Sequence, residues 1–254
     1  MIMKKNLYYR TVFRRHNRMK EFFFNLFLSI CSGPRLLLEV FVRKNFGERY
    51  FSFSTAIILA LLLAFLPSIF MESFYGGVGL SAFFTHFLTW YAAIAAFVYV
   101  SFLRDNEIKR LPSVFDFARF SLSAGTLDNR FFDFNIKGRR FTIREIETMV
   151  EPGVFFAIGF GLTFLAQPIG IVIMICAICY SISYFATYWQ GDNFIMDKID
   201  EMILNEEYVN AFVDGMDPED TRGVRYYGRT PADPEVRRQL VDSIIVDTDF
   251  VEAK

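Results

Sequence analysis

The chain has 254 residues, 53% of them hydrophobic and 32 of them phenylalanine, with a formal net charge of −1. Uncharged runs this long and this rich in Phe exceed what the core of a small soluble domain absorbs, so an ordinary globular enzyme is not the expected class. The near-neutral total hides a separation: residues 1–54 hold eleven Lys/Arg against three acidic residues, and residues 190–254 hold seven against sixteen. The first composition suits anionic lipid head groups, and the second suits solvent or a basic protein partner.

Residues 1–52 are expected to form a basic cytoplasmic or interfacial region. The apolar runs 22–31 and 37–42 are each too short to cross ~30 Å of hydrocarbon. With Arg35, Arg43 and Lys44 beside them, they suit a helix lying in the interface plane, or one packed on the protein's own cytoplasmic part. Leu28-Ser29-Ile30-Cys31 has the outline of a lipoprotein cleavage site, but Ile30 is bulky where a small residue is wanted. Residues 53–103 then read as a first transmembrane hairpin. Its spans cover about 53–71 and 80–103, and Pro67 is expected to bend or end the first.

Residues 104–152 form a central cytoplasmic loop. Ser113 and Asp116 have capping-box spacing, which predicts a short helix over 114–123. Phe132, Phe134 and Ile136 alternate with Asp133, Asn135 and Lys137, and Gly138 follows, so a small β-hairpin is expected there. Thr142 and Glu145 make a second capping box, with Phe141 and Ile146 placed as a hydrophobic staple. Ile143, Ile146, Met149 and Val150 then share one face of an amphipathic helix.

Residues 153–189 form a 37-residue stretch without a charge, which Gln167-Pro168 divides near its middle. Two short spans, 153–166 and 169–189, predict a second transmembrane hairpin; a single long helix and a re-entrant first half are the alternatives. Residues 190–254 read as an acidic cytoplasmic helical tail. Ile195, Ile199 and Met202 recur at helical spacing over 193–213. Asp217-Pro218-Glu219 and Asp233-Pro234-Glu235 both resemble helix starts, with Asp as cap and Pro at the first position. The second leads into Val236, Leu240, Val241 and Ile244. The fold class expected is an all-α membrane protein with four transmembrane helices in two helical hairpins, carrying amphipathic cytoplasmic helices.

Lys and Arg cluster beside the proposed span ends on one side: Arg35, Arg43, Lys44 and Arg49, then Arg104, Lys109, Arg110 and Arg119, then Lys137, Arg139, Arg140 and Arg144. The two outer turns have none, so both termini are expected in the cytoplasm, at a bacterial inner membrane. Lys137, Arg139, Arg140 and Arg144 are the expected lipid head-group contacts.

Gly153, Ala157 and Gly161 repeat every four residues and would let helix backbones approach closely, within the chain or between subunits. His86 lies between Thr85 and Thr89, which suits a hydrogen-bonded neutral imidazole. Cys176 and Cys179 have redox spacing, but inside an apolar run a thiolate is poorly solvated, so they are expected to be inert.

Two His residues, seventy positions apart, make no metal cluster. No phosphate-binding loop or nucleophile elbow is present. No cofactor, small-molecule substrate or nucleic-acid partner is expected. The predicted spans carry no charge, which disfavours an ion-coupled carrier.

The expected function is a non-enzymatic scaffolding subunit of an oligomeric membrane assembly, such as a secretion or transfer machine. Its partners would be the bilayer, further copies and other subunits, docked through Ile195, Ile199, Met202, Leu240 and Ile244. A passive oligomeric pore lined by Ser81, Thr85, Thr89, Thr163, Gln167, Ser181 and Ser183 is the alternative. A membrane enzyme using Glu145, Glu147 or Glu151 ranks third.

Overall fold

The fold is that of a computed structural model, which describes residues 18–74, 86–109, 120–132, 135–136 and 139–249. Among these the chain is helical: α1 (Arg18–Val42), α2 (Phe53–Phe74), α3 (Leu88–Ile108), α4 (Ile143–Phe164), α5 (Ile169–Val213) and α6 (Pro234–Asp249). The one sheet described is a two-residue ladder, β1 (Asn135–Ile136) on β2 (Arg139–Arg140), with Asn135 opposite Arg140. It lies where the alternation of aromatic and polar residues places a hairpin. The expected helix over 114–123 lies largely outside the described residues, and 121–122 form a turn.

Three helices are long and apolar enough to cross a membrane: Met19–Val42, Ile143–Phe164 and Ile169–Val213, with a shorter apolar stretch at Phe53–Ser68. This set differs from the expected one in three ways. Neither helix of the expected first hairpin is in it: α2 contributes only the shorter apolar stretch, and α3, described from Leu88, is not among the three. The patches 22–31 and 37–42 are joined in a single helix that runs through Pro34. Residues 153–166 are not a short span of their own. Pro152 stands in the first turn of the α-helical stretch Glu151–Phe164, and that stretch continues the helix that begins at Ile143, behind the Thr142–Glu145 capping box, whose two reciprocal bonds are both made.

Pro67 and Pro152 are tolerated because other side chains satisfy the carbonyls they strand. A proline at position i has no N–H to give the carbonyl at i−4. Pro67 therefore leaves Leu63 O without its usual donor, and the Trp90 indole Nε1 donates to it at 2.9 Å. Tyr91 Oη donates to the next carbonyl, Ala64 O, at 3.3 Å. Pro152 leaves Thr148 O, which receives the Ser181 hydroxyl at 2.6 Å, after a wide π turn over Ile146–Val150. Hence α2 does not end at Pro67, one of the two expected outcomes. Trp90→Phe keeps the ring but removes the donor. It should cost about 1–3 kcal/mol, the usual penalty for a stranded buried polar group, read as a lower denaturation midpoint in detergent.

The chain divides into two compact units. In the unit covering 22–188, α2 and α3 pack around Leu36, Val40, Phe46, Phe51, Ala56, Ala60 and Phe97. A second cluster joins Leu38 of α1 to Cys176, Ala177, Tyr180 and Tyr184 of α5. The segment 120–126 lies against 44–49 through Gly47 N to Ser123 O (2.9 Å), Arg49 N to Ser121 O (2.8 Å) and Thr126 N to Lys44 O (2.7 Å).

In the other unit, Leu204, Tyr208, Phe212 and Val213 of α5 enclose Val241 of α6. Arg222 donates to Glu206 (2.5 Å) and Glu207 (2.6 Å), and these carboxylates hold its guanidinium above its ordinary value. Asp233 caps α6 by accepting from Glu235 N at 2.9 Å. Asp217-Pro218-Glu219 instead starts a turn that closes at Gly223 N to Pro218 O (2.8 Å), so no helix begins there.

Candidate functional site

Three helices of the 22–188 unit each present a ladder of polar side chains four residues apart, which places them on one helical face. The ladders are Arg35/Glu39/Arg43 at the end of α1, Glu147/Glu151 in α4, and Tyr180/Tyr184/Tyr188 in α5. They converge on Arg43, whose side chain is fully buried, as is that of Glu151.

Arg43 uses its whole guanidinium. Its Nε lies 3.2 Å and its Nη2 2.5 Å from Glu151 Oε2. Nη1 donates to Tyr184 Oη at 2.5 Å and to Ala124 O at 3.5 Å, and lies 3.1 Å from Glu147 Oε1. The charge also sits over the Tyr184 ring, 4.7 Å from its centroid. An arginine can make this fork of contacts; the single ammonium of a lysine cannot.

The carboxylates are held from several directions. Glu39 Oε1 accepts from Tyr184 Oη at 2.6 Å and lies 3.3 Å from Arg35 Nε, while Tyr50 Oη reaches Oε2 at 2.8 Å. Glu147 Oε2 accepts from Tyr188 Oη at 2.5 Å. Tyr180 Oη donates to Glu151 Oε2 as well. Arg35 completes the cluster by donating to Ser183 Oγ (2.9 Å) and Tyr50 Oη (2.8 Å). Burial, followed by the Glu39 carboxylate, holds the Tyr50 phenol above its ordinary value.

The expectation of an uncharged helical interior is therefore overturned. Arg43, Glu39 and Glu151 are among the most buried side chains described. The span ends chosen from hydropathy placed all three outside the membrane helices. A signal was present: alternating charges at i, i+4 and i+8 inside an apolar stretch make a polar seam on an otherwise apolar helix. Basic residues counted for topology are also partly internal. Arg104 is buried, donating to Val40 O at 3.1 Å and to Glu107 at 2.6 Å.

Gly153, Ala157 and Gly161 line an exposed strip of α4, and a methyl group on either glycine would meet nothing within 4 Å. The close approach between α4 and α5 is made by Gly159 and Gly170, where an added Cβ would lie 2.8 Å and 2.5 Å, respectively, from backbone atoms. Arg140 and Arg144 are exposed, with Arg144 over the Tyr188 ring; Lys137 and the Arg139 side chain lie outside the described residues.

Ile195, Ile199, Met202 and Leu240 are exposed, and the Ile244 side chain is not among those described. Glu145 serves the capping box. His86 is exposed, its ring edge-on to Phe87. Thr89, one of its expected neighbours, donates to Gln167 Oε1 at 2.6 Å; Thr85 and Ser81 lie outside the described residues. Among the described residues no group of three His, Cys, Asp or Glu is placed to hold a metal ion.

The chain matches no protein-family model, no curated protein and no solved structure, so its function is argued from this geometry.

Proposed function

We propose that the chain is a multi-pass inner-membrane protein that crosses the bilayer four times, through α2, α3, α4 and α5, with α1 on the cytoplasmic side and both termini in the cytoplasm, and that it acts as a non-catalytic scaffolding subunit of an oligomeric membrane assembly. A bacterial secretion or transfer machine is the kind of setting it fits. About twenty residues of helix cross ~30 Å of hydrocarbon, whereas α5 is 45 residues long. The observation that carries the proposal is the exposed apolar face in the excess: Phe194, Ile195, Met196, Ile199 and Met202 are all more than 45% exposed, among Asp197, Asp200 and Glu201. An apolar face with an acidic surround suits a protein partner better than solvent.

The polar residues within the helices favour a scaffold over a pore. Thr163 donates to Gly159 O, Ser181 to Thr148 O, Ser183 accepts from Arg35, and Gln167 accepts from Thr89. The bonds of Ser181, Ser183 and Gln167 join different elements, and that of Thr163 stays within α4. Gln167→Leu is accordingly expected to leave ion flux in proteoliposomes at the level of empty vesicles, and flux that depends on Gln167 would favour the pore.

The scaffold is tested by changing Ile195, Ile199 and Met202 together to serine in the native host. Loss of buried apolar anchors costs about 1–2 kcal/mol at each important position. Proteins that co-purify with the tagged chain after gentle extraction should fall about tenfold or more, with the thermal midpoint of the extracted chain unchanged. An undiminished set of co-purifying proteins would overturn the docking face.

A further inference from the structure

We infer that Glu151 is a proton-binding site, and that the proton it carries on Oε1 holds α1 against α4 and α5. Facing it are Arg43 and Glu39 from the α1 end, Arg35 behind them, Glu147 from α4, Tyr180 and Tyr184 from α5, and Tyr50 from the following loop. Tyr188 reaches the cluster through Glu147, and the exposed Arg144 lies over the outer ring of Tyr188. The cluster thus sets three carboxylates against two guanidinium groups.

Two of the carboxylates are bonded at both oxygens. Glu39 takes Tyr184 and Arg35 on one oxygen and Tyr50 on the other. Glu147 takes Arg43 on one and Tyr188 on the other. Glu151 is different: Oε2 receives Arg43 twice and Tyr180, while Oε1 is buried with no hydrogen-bond partner. An ionised carboxylate with one bare oxygen is the costliest group to bury. A proton on that oxygen removes the surplus charge, and the neutral hydroxyl left without an acceptor costs far less. Oε2 remains the acceptor for Arg43 and Tyr180, so the joint keeps its bonds.

The sign of the pH dependence follows. A proton held by the folded chain and released by the unfolded one contributes stability that is complete below the ordinary carboxylate range and is lost as pH rises. Raising pH should therefore loosen the joint.

The test is infrared spectroscopy of the full chain in lipid nanodiscs at neutral pH, with thermal midpoints across a pH series. The wild-type protein should show the carbonyl stretch of a protonated carboxylic acid, and Glu151→Gln should lack it. The midpoint of the wild type should fall as pH rises, and that of Glu151→Gln should fall less. Glu39→Gln should retain the band. A missing wild-type band, a band that survives Glu151→Gln, or one that vanishes in Glu39→Gln instead would overturn the assignment. A Glu151→Gln chain that does not fold would overturn it too, because glutamine mimics the neutral acid.

Discussion

Arg43→Leu is expected to destabilise the chain by about 3–5 kcal/mol, the largest effect of any single substitution in the described residues. Removing the buried cation leaves the Glu147 carboxylate uncompensated and the buried Glu151 carboxyl without its donor. Here the Arg43 side chain is fully buried and its loss strips bonds from Glu151, Glu147 and Tyr184 at once. Arg43→Lys should recover part of the loss, since one ammonium cannot reach Glu151, Tyr184 and Ala124 O together.

Combining Arg43→Met with Glu151→Met removes both partners of the buried contact. It should cost clearly less than the sum of the single changes, because the penalty of each lies in the partner it strands. Denaturant midpoints of the four proteins in one detergent close the cycle. Additive losses would mean that the pair is not coupled.

The second large effect is expected at Gly170. Its added Cβ would lie 2.5 Å from Gly159 O and from Thr163 N, atoms of the α4 backbone that cannot swing aside as a side chain can. Gly170→Ala must separate α4 from α5, an overpacking cost of about 1–3 kcal/mol. Gly153→Ala and Gly161→Ala meet open space and should be neutral or stabilising by up to about 1 kcal/mol, the helix-propensity gain of alanine over glycine. Thermal midpoints of the three variants decide the matter. Equal losses at all three positions would refute the assignment of the α4–α5 contact to Gly159 and Gly170.

Local signals were the legible ones. The Thr142–Glu145 box, the cap at Asp233, the strand alternation ending at Ile136 and the break at Gln167-Pro168 each depend on a few neighbouring residues. Each is found where those residues put it. The errors came from reading punctuation without its partners. Pro67 looks like a helix end until Trp90, distant in sequence, takes up the carbonyl it leaves.

The repeat of Gly153, Ala157 and Gly161 leaves open a contact within the chain or between subunits, and within the chain Gly159 makes it. A four-residue repeat identifies a face but not which face meets a neighbour. The charged joint was missed because hydropathy averages over a window. Arg43 stands one residue beyond α1 and Glu151 sits inside α4, so each was counted as flanking charge. Their meeting required three helices to converge, which no single segment encodes.

The placement of the two tryptophans has a practical consequence. Trp90 is buried in the 22–188 unit at 3% exposure, while Trp189 is 48% exposed in the other unit, with the Lys20 ammonium 5.3 Å from its ring centroid. Each unit thus carries its own intrinsic fluorophore, one in an apolar setting and one near water and a cation. The Trp189→Phe protein would let the melting of the 22–188 unit be followed through Trp90 alone, without any added label.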